Sequence, residues 1–256
     1  MAEPLLQVEG LVKRFGGIVA TDQLSLEVRP GEVHAIIGPN GAGKTTLIAQ
    51  LTGEIRPDSG HVRFLGRDIT RLPMHRRSRL GLARSFQITS IFADFTALDN
   101  VALAVQAQAG HSFRFWRDAR RESELRQPAL AALTQVGLGA RAGDPASSLS
   151  HGEHRQLEIA MALATRPKML LLDEPMAGMG PEESSRLVEI LRGFKGSFAT
   201  LLVEHDMEAV FALADRITVL VYGRVIATGT PDQVRENAEV RQAYLGEEQR
   251  GAPSHG

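Results

Sequence analysis

The stretch that most restricts what this chain can fold into is "VHAIIGPNGAGKTTLIAQLTG", residues 33–53. Its first five residues form a nearly continuous apolar run, which suits a strand buried on both faces. Gly38 to Thr45 then read Gly, four residues, Gly-Lys-Thr, the phosphate-loop pattern. At average composition a chance match in a chain this long has odds of about one in a hundred. Glycines let the backbone turn tightly and aim successive N–H groups inward. A helix beginning at the end of the loop adds unpaired donors and a positive dipole end. The pattern predicts that helix through "KTTLIAQLT", with Gly53 as its stop. Gly38, Asn40, Gly41, Ala42, Gly43, Lys44, Thr45 and Thr46 are therefore candidate phosphate contacts. Lys44 can reach the β- and γ-phosphates, and the Thr45 hydroxyl can enter a Mg2+ shell.

Two further apolar runs end in polar residues. "MLLLDEP" (169–175) and "TLLVEHD" (200–206) read as buried strands, each followed by helix-like sequence, which argues for an α/β core. Open α/β sheets bind ligands beyond the carboxyl ends of their strands. Asp173 is thus the expected Mg2+-side carboxylate, directly or through water. Glu174 is placed to orient or deprotonate an attacking water. His205 occupies the same kind of strand end, where an imidazole can donate a hydrogen bond to a γ-phosphate. A metal site of Glu204, His205 and Asp206 is disfavoured, because consecutive residues rarely converge on one ion and the i,i+4 helical spacing is absent.

Around these motifs, "LLQVEGLVKRF" and "LSLEV" read as strands, "GHVRFLGRDI" as an edge hairpin and "RITVLVYGRVIATG" as a hairpin turning near Gly223. "SFRFWRDARRESELRQPALAALTQVGL" is charged and helical in character, interrupted by Pro128. The expected division is a first core part at 1–87, a helical insertion at 88–150, a second core part at 151–246 and a frayed tail at 247–256. A formal net charge of -1 gives no electrostatic case for wrapping nucleic acid. The absence of cysteine excludes disulfides, thiolate metal sites and cysteine nucleophiles. No secretory leader is read at the start, and no apolar run approaches the roughly 18–20 residues needed to span a bilayer. The chain reads as soluble by itself, with peripheral attachment to a membrane protein left open.

"LSHGEHRQ" (149–156) sets two histidines, a glutamate and a glutamine around one glycine. It is either a metal or acid–base cluster or a phosphate-binding turn in which the histidines are incidental. Its company decides. "GPNGAGKT", "SFQ" with Gln87, "LSHGEHRQ", "MLLLDE" and "EHD", in that order over residues 5–246, resemble the ATP-binding cassette ATPase family. The resemblance implies a P-loop NTPase core with an antiparallel β edge region and an inserted helical subdomain. It also implies Mg2+-dependent ATP hydrolysis in a head-to-tail dimer. Ser150 and Gly152 would contact the γ-phosphate held by the opposite subunit, so the turn is read as phosphate-binding. Ser150 also suits the cap of the helix "GEHRQLEIAMALAT". Phe15 resembles the aromatic residue that stacks on adenine, with ordinary apolar packing as its alternative. Gln87 resembles the glutamine that touches Mg2+ or the attacking water. Three positions depart from the family pattern: His151 stands for a glycine, at a position that tolerates larger residues in some members, Glu153 for glutamine, and Gly180 for an aspartate or asparagine.

The family mechanism implies that ATP closes the dimer and that hydrolysis reopens it. Work on a membrane then requires separate permease subunits, a second cassette of the same or a homologous chain, and indirect coupling to a solute-binding protein. This places the chain peripherally on the cytoplasmic face of the membrane. "LPMHRRSRLGLARSFQ", "FTALDNVALA" and "ATGTPDQVRENAEVRQAYLGE" resemble the branched-chain amino-acid uptake type, features shared by importers of urea, short amides and other carboxylates. The alternative from another class is a soluble, non-transport ATPase acting as a mechanical or binding module. A third reading is a catalytically weak regulatory subunit. One cassette, a modest insertion and near-neutral charge favour the importer.

Overall fold

The computed structural model describes residues 3–84, 91–109 and 123–243. In chain order its strands are β1 (Leu6–Phe15), β2 (Ile18–Val28), β3 (Val33–Ile37), β4 (Ser59–Phe64), β5 (Arg67–Asp68), β6 (Leu82–Arg84), β7 (Met169–Asp173), β8 (Ala199–Val203), β9 (Arg216–Val221) and β10 (Arg224–Gly229). The helices are α1 (Lys44–Thr52), α2 (Met74–Arg79), α3 (Ala97–Ala109), α4 (Ser123–Gln135), α5 (His151–Ala164), α6 (Pro181–Gly193), α7 (Met207–Leu213) and α8 (Pro231–Glu236). The chain divides into two compact units: Met1–Arg77 with Lys195–Gly256, and Ser78–Phe194.

The first unit holds an antiparallel sheet in the order β2-β1-β4-β5 and a run of strands in the order β10-β9-β3-β8. β3 is parallel to both of its neighbours, and all five of its residues are buried. Covering both faces of "VHAII" contributes about 1.5–3 kcal/mol for each large apolar side chain. That is why the run forms a central strand and not an edge. Ala35 and Ile37 on β3 pack with Val210, Ile217, Val219 and Val234 in one apolar cluster. "SLEV" alternates exposed and buried residues as its pattern predicts. β2, however, begins at Ile18, well before the "LSLEV" read from sequence. Its pairing with β1 slips at several points, and Gln23 has φ 51°, so the strict period that marks a strand is broken there. The hairpin β9–β10 turns through Tyr222 and Gly223, both at positive φ.

α1 ends at Gly53, whose N–H donates to Ala49 O. Beyond it lies a fully buried Arg77. Its Nη1 donates to Gln50 O and Leu51 O (2.7 Å each), its Nη2 to Thr70 O (3.0 Å) and its Nε to Leu72 O (2.9 Å). Burial lowers its pKa to about 10, so it stays a cation on the negative end of α1.

In the second unit, α3, α4 and α5 pack on one another, and β6 lies parallel to β7. α4 buries Leu125, Ala129, Ala132 and Leu133, one stripe at helical spacing. Pro128 sits inside this helix and does not interrupt it as the sequence suggested. The ring removes one backbone donor, and the stripe that continues on either side of it holds the helix together. Fully buried Asn100 fastens the preceding loop, accepting from Phe92 N–H (2.8 Å) and donating to Phe92 O and Thr96 O. Phe92 and Phe95 stay exposed on that loop, their rings 5.2 Å apart. Among the described residues no helix is long and apolar enough to cross a membrane. Gln87 and the tail at 247–256 lie outside the described residues.

Candidate functional site

The phosphate loop follows β3 directly. Its backbone is held by bonds that close it on itself and on the β9–β10 turn: Ala42 N–H donates to Pro39 O (3.1 Å), and Gly223 N–H donates to Ala42 O (2.9 Å). Gly43, at φ 102°, precedes α1, and a Cβ there would lie 2.2 Å from Ala20 O. A Cβ on Gly38 would lie 2.1 Å from Leu220 O. At these two positions only glycine lets the loop approach its neighbouring backbone so closely. The N-terminus of α1 has no side-chain cap and no acid in its first turn, so the helix's own residues neither fill nor repel an anion there. Lys44 is buried, and its Nζ donates to Gly38 O (2.5 Å) and Pro39 O (3.0 Å), which places the ammonium over the loop. Asn40, Gly41 and Thr45 are exposed, and Thr46 is half-buried. Backbone donors, one ammonium and a threonine hydroxyl are the donor set a polyphosphate requires.

In the same unit, Val203 of β8 pairs with Ile36 of β3. His205 and Gly38 therefore each stand two residues beyond a paired position, at the carboxyl ends of adjacent parallel strands. His205 is exposed. The buried carboxylate of Glu204 accepts the His205 N–H (2.6 Å), and Asp206 caps α7 through the N–H groups of Glu208 and Ala209. Each of the three consecutive polar residues thus has its own local surroundings. Phe15 closes β1 with an exposed ring that has the Lys13 ammonium 5.6 Å from its centroid. A half-exposed ring at a hairpin tip suits stacking better than core packing.

The second unit carries the acids. Asp173 ends β7 and is mostly buried, paired with Arg84 (Nη2 to Oδ2, 2.8 Å). Arg84 ends β6, three residues before Gln87. Glu174 follows with φ 51°, a left-handed backbone that a residue with a Cβ adopts only where surroundings enforce it. Its carbonyl accepts Ala177 N–H (3.1 Å), so the chain turns sharply just after the carboxylate.

Ser150 caps α5. Its Oγ accepts Glu153 N–H (3.2 Å), and the Glu153 carboxylate accepts Ser150 N–H (2.8 Å), a reciprocal capping box. Glu153 Oε2 also receives Arg141 Nη1 at 2.5 Å. Gly152 is buried against Glu183, where a Cβ would lie 2.8 Å from the carboxylate. A cavity of about 130 Å3 opens here between α5 and α6, lined by Ser150, Gly152, Gln156, Glu183 and Arg186. The two histidines turn to backbone carbonyls, His154 Nδ1 to Ser150 O (3.0 Å) and His151 Nε2 towards Ala177 O (3.5 Å). Gly180 is the N-cap residue just before α6 and gives it no side-chain cap.

Three arginines escaped the sequence reading: Arg84, Arg141 and Arg77. "LARSFQ" drew attention only for its glutamine, and nothing in "HRRSRL" tells which of its arginines turns inward.

Comparison with known proteins agrees with the geometry. The family profile described as "ABC transporter" matches residues 21–177, and one described as "Branched-chain amino acid ATP-binding cassette transporter" matches residues 224–249. The high-affinity branched-chain amino acid transport ATP-binding protein LivG of Escherichia coli (strain K12) is 39% identical, over 96% of this chain and 100% of that protein. The corresponding protein BraF of Pseudomonas aeruginosa is 40% identical, again over 96% and 100%. A crystal structure of the ADP conformation of an ATP-binding cassette of an ABC transporter superposes with a TM-score of 0.84 at 30% identity, covering 96% of this chain and all of that one.

Proposed function

Because this chain belongs to the ABC transporter family, we propose that it is the ATP-binding and ATP-hydrolysing subunit that energises a multi-subunit importer. The cargo of that importer is branched-chain amino acids or a related small polar solute. The single observation that carries the reading is the uncapped, acid-free start of α1 beneath a glycine loop, with the Lys44 ammonium lying over it.

Lys44, the loop N–H groups and the start of α1 bind the phosphates, and Phe15 stacks on the adenine. Thr45, Gln87 and Asp173 would hold Mg2+, whose preference for oxygen ligands they match. Held there, Mg2+ would supply positive charge to offset that of the phosphates. Glu174 accepts the proton of the water whose oxygen attacks the γ-phosphorus, while the bond to the β,γ-bridging oxygen breaks. His205 donates a hydrogen bond to the γ-phosphate. Ser150 and Gly152 act on a nucleotide held by a facing cassette, so ATP joins two cassettes and its hydrolysis parts them. The chain works at the cytoplasmic face through permease subunits, with a solute-binding protein delivering cargo from the other side. No nucleic acid takes part.

The test joins two variants with a purification. Lys44→Ala is expected to weaken ATP binding; unchanged affinity overturns the loop assignment. Glu174→Gln is expected to keep binding, lower turnover by about 10²–10⁴-fold and accumulate an ATP-dependent dimer in sedimentation with permease present. Gentle purification from membranes of the native source, with partners identified by mass, is expected to recover integral membrane subunits. Recovery of soluble partners alone would favour a non-transport ATPase.

A further inference from the structure

We propose that Arg141 is a positioning residue for the turn at Ser150–Glu153: it neutralises Glu153 so that a turn carrying a carboxylate still receives a polyphosphate. This rests on the sandwich reading above and concerns a residue that no motif singles out.

Glu153 sits in the first turn of a helix whose start is assigned to an anion. An unneutralised carboxylate there repels what the helix dipole attracts. Two bonds converge on one of its oxygens, from Ser150 N–H (2.8 Å) and from Arg141 Nη1 (2.5 Å). The carboxylate is thereby turned back along its own capping box and matched with a cation. Burial pushes the Glu153 carboxyl up, but the Ser150 N–H and the Arg141 guanidinium more than reverse this and leave it below its usual value.

The same guanidinium organises the approach to the turn. Its Nε donates to Asp144 Oδ2 (2.8 Å), and its Nη2 donates to Ser148 O (3.2 Å) and Ser148 Oγ (3.3 Å). One side chain thus ties three points of residues 144–153. Because the Ser150 oxygen accepts from Glu153 N–H, its own hydroxyl proton remains available to donate outward. The cavity beside it holds a second acid, Glu183, and Arg186 one turn further along the same helix. With Glu183 lining the same cavity, the turn carries two carboxylates, and the Arg141 guanidinium offsets the one in its own first turn.

A glutamine at 153 could still accept the Ser150 N–H but would carry no charge, and this separates neutralisation from simple bracing. The experiment measures ATP-dependent dimerisation of Glu174→Gln protein by sedimentation with permease present, and, with Glu174 intact, ATPase turnover of the permease-bound complex, for Arg141→Ala, Arg141→Lys and Arg141→Ala/Glu153→Gln. Arg141→Ala is expected to weaken dimerisation by about tenfold, while ATP binding by the isolated chain, which uses its own phosphate loop, stays at the wild-type level. Adding Glu153→Gln, or keeping the charge with Arg141→Lys, is expected to restore most of the loss. Raised salt is expected to narrow the gap between Arg141→Ala and wild type.

The inference is overturned if Arg141→Ala dimerises like wild type, or if Glu153→Gln fails to rescue it. The latter outcome would make Arg141 a brace alone. Should Glu174→Gln protein with Arg141 intact not dimerise on ATP, the sandwich reading itself falls, which is a separate result.

Discussion

At the scale of single residues, Glu174 combines a left-handed backbone with the carboxylate assigned to water activation. A Cβ in that region costs about 1–2 kcal/mol, and glycine would relieve it. Glu174→Gly is therefore expected to abolish ATP turnover while holding or raising the midpoint of thermal unfolding by up to about 3 °C. Scanning calorimetry beside an ATPase assay checks this, and a clear fall in the midpoint would mean that the surroundings do not enforce the turn. Motif spacing made Gly38–Thr45, Asp173, Glu174 and Ser150 legible, because local sequence dictates loops, strand ends and caps. The arginines were illegible for the opposite reason. Arg84 and Arg141 acquire their meaning from Asp173 and Glu153, 89 and 12 residues away. Nothing in a string of letters distinguishes them among 29 lysines and arginines.

Secondary-structure elements were legible where burial is uniform and blurred where it is not. β3 announces itself because every residue in it is covered. β2 hides its first half because its slipped pairing spoils the alternation. In α4 a proline that usually ends helices is carried by the stripe around it. The most exacting junction is the one between the phosphate loop and α1. Gly43→Ala must fit a methyl 2.2 Å from Ala20 O at φ 102°. The expected loss exceeds about 2 kcal/mol, with ATP binding falling alongside stability. Denaturant unfolding and nucleotide titration of the same preparation check both halves of that expectation.

For the molecule as a whole, α/β organisation and family membership followed from motif order, whereas the charges sealed inside it did not. His34 on β3 is completely buried, with Nε2 2.8 Å from Thr218 Oγ1. Its Nδ1 lies 3.3 Å from Arg216 Nη2 and 3.6 Å from Glu32 Oε1. Burial lowers the pKa of His34, an effect that Glu32 opposes and Arg216 supports. The unfolded chain therefore binds a proton near pH 6.5 that the folded chain refuses until lower pH. Stability is full above that value and declines as pH falls through the window beneath it. Thermal midpoints between pH 7.5 and pH 5 are expected to fall, and His34→Gln to flatten that slope; an unchanged slope would refute the assignment. Arg77 has a different kind of consequence. Over most of a protein's outer surface, arginine and lysine can drift into one another across generations with little effect. At 77 a lysine would bring one compact head to a fan of four carbonyls arranged for a fork. Tolerance to that otherwise mild exchange ends there, at the opposite end of α1 from the phosphate loop.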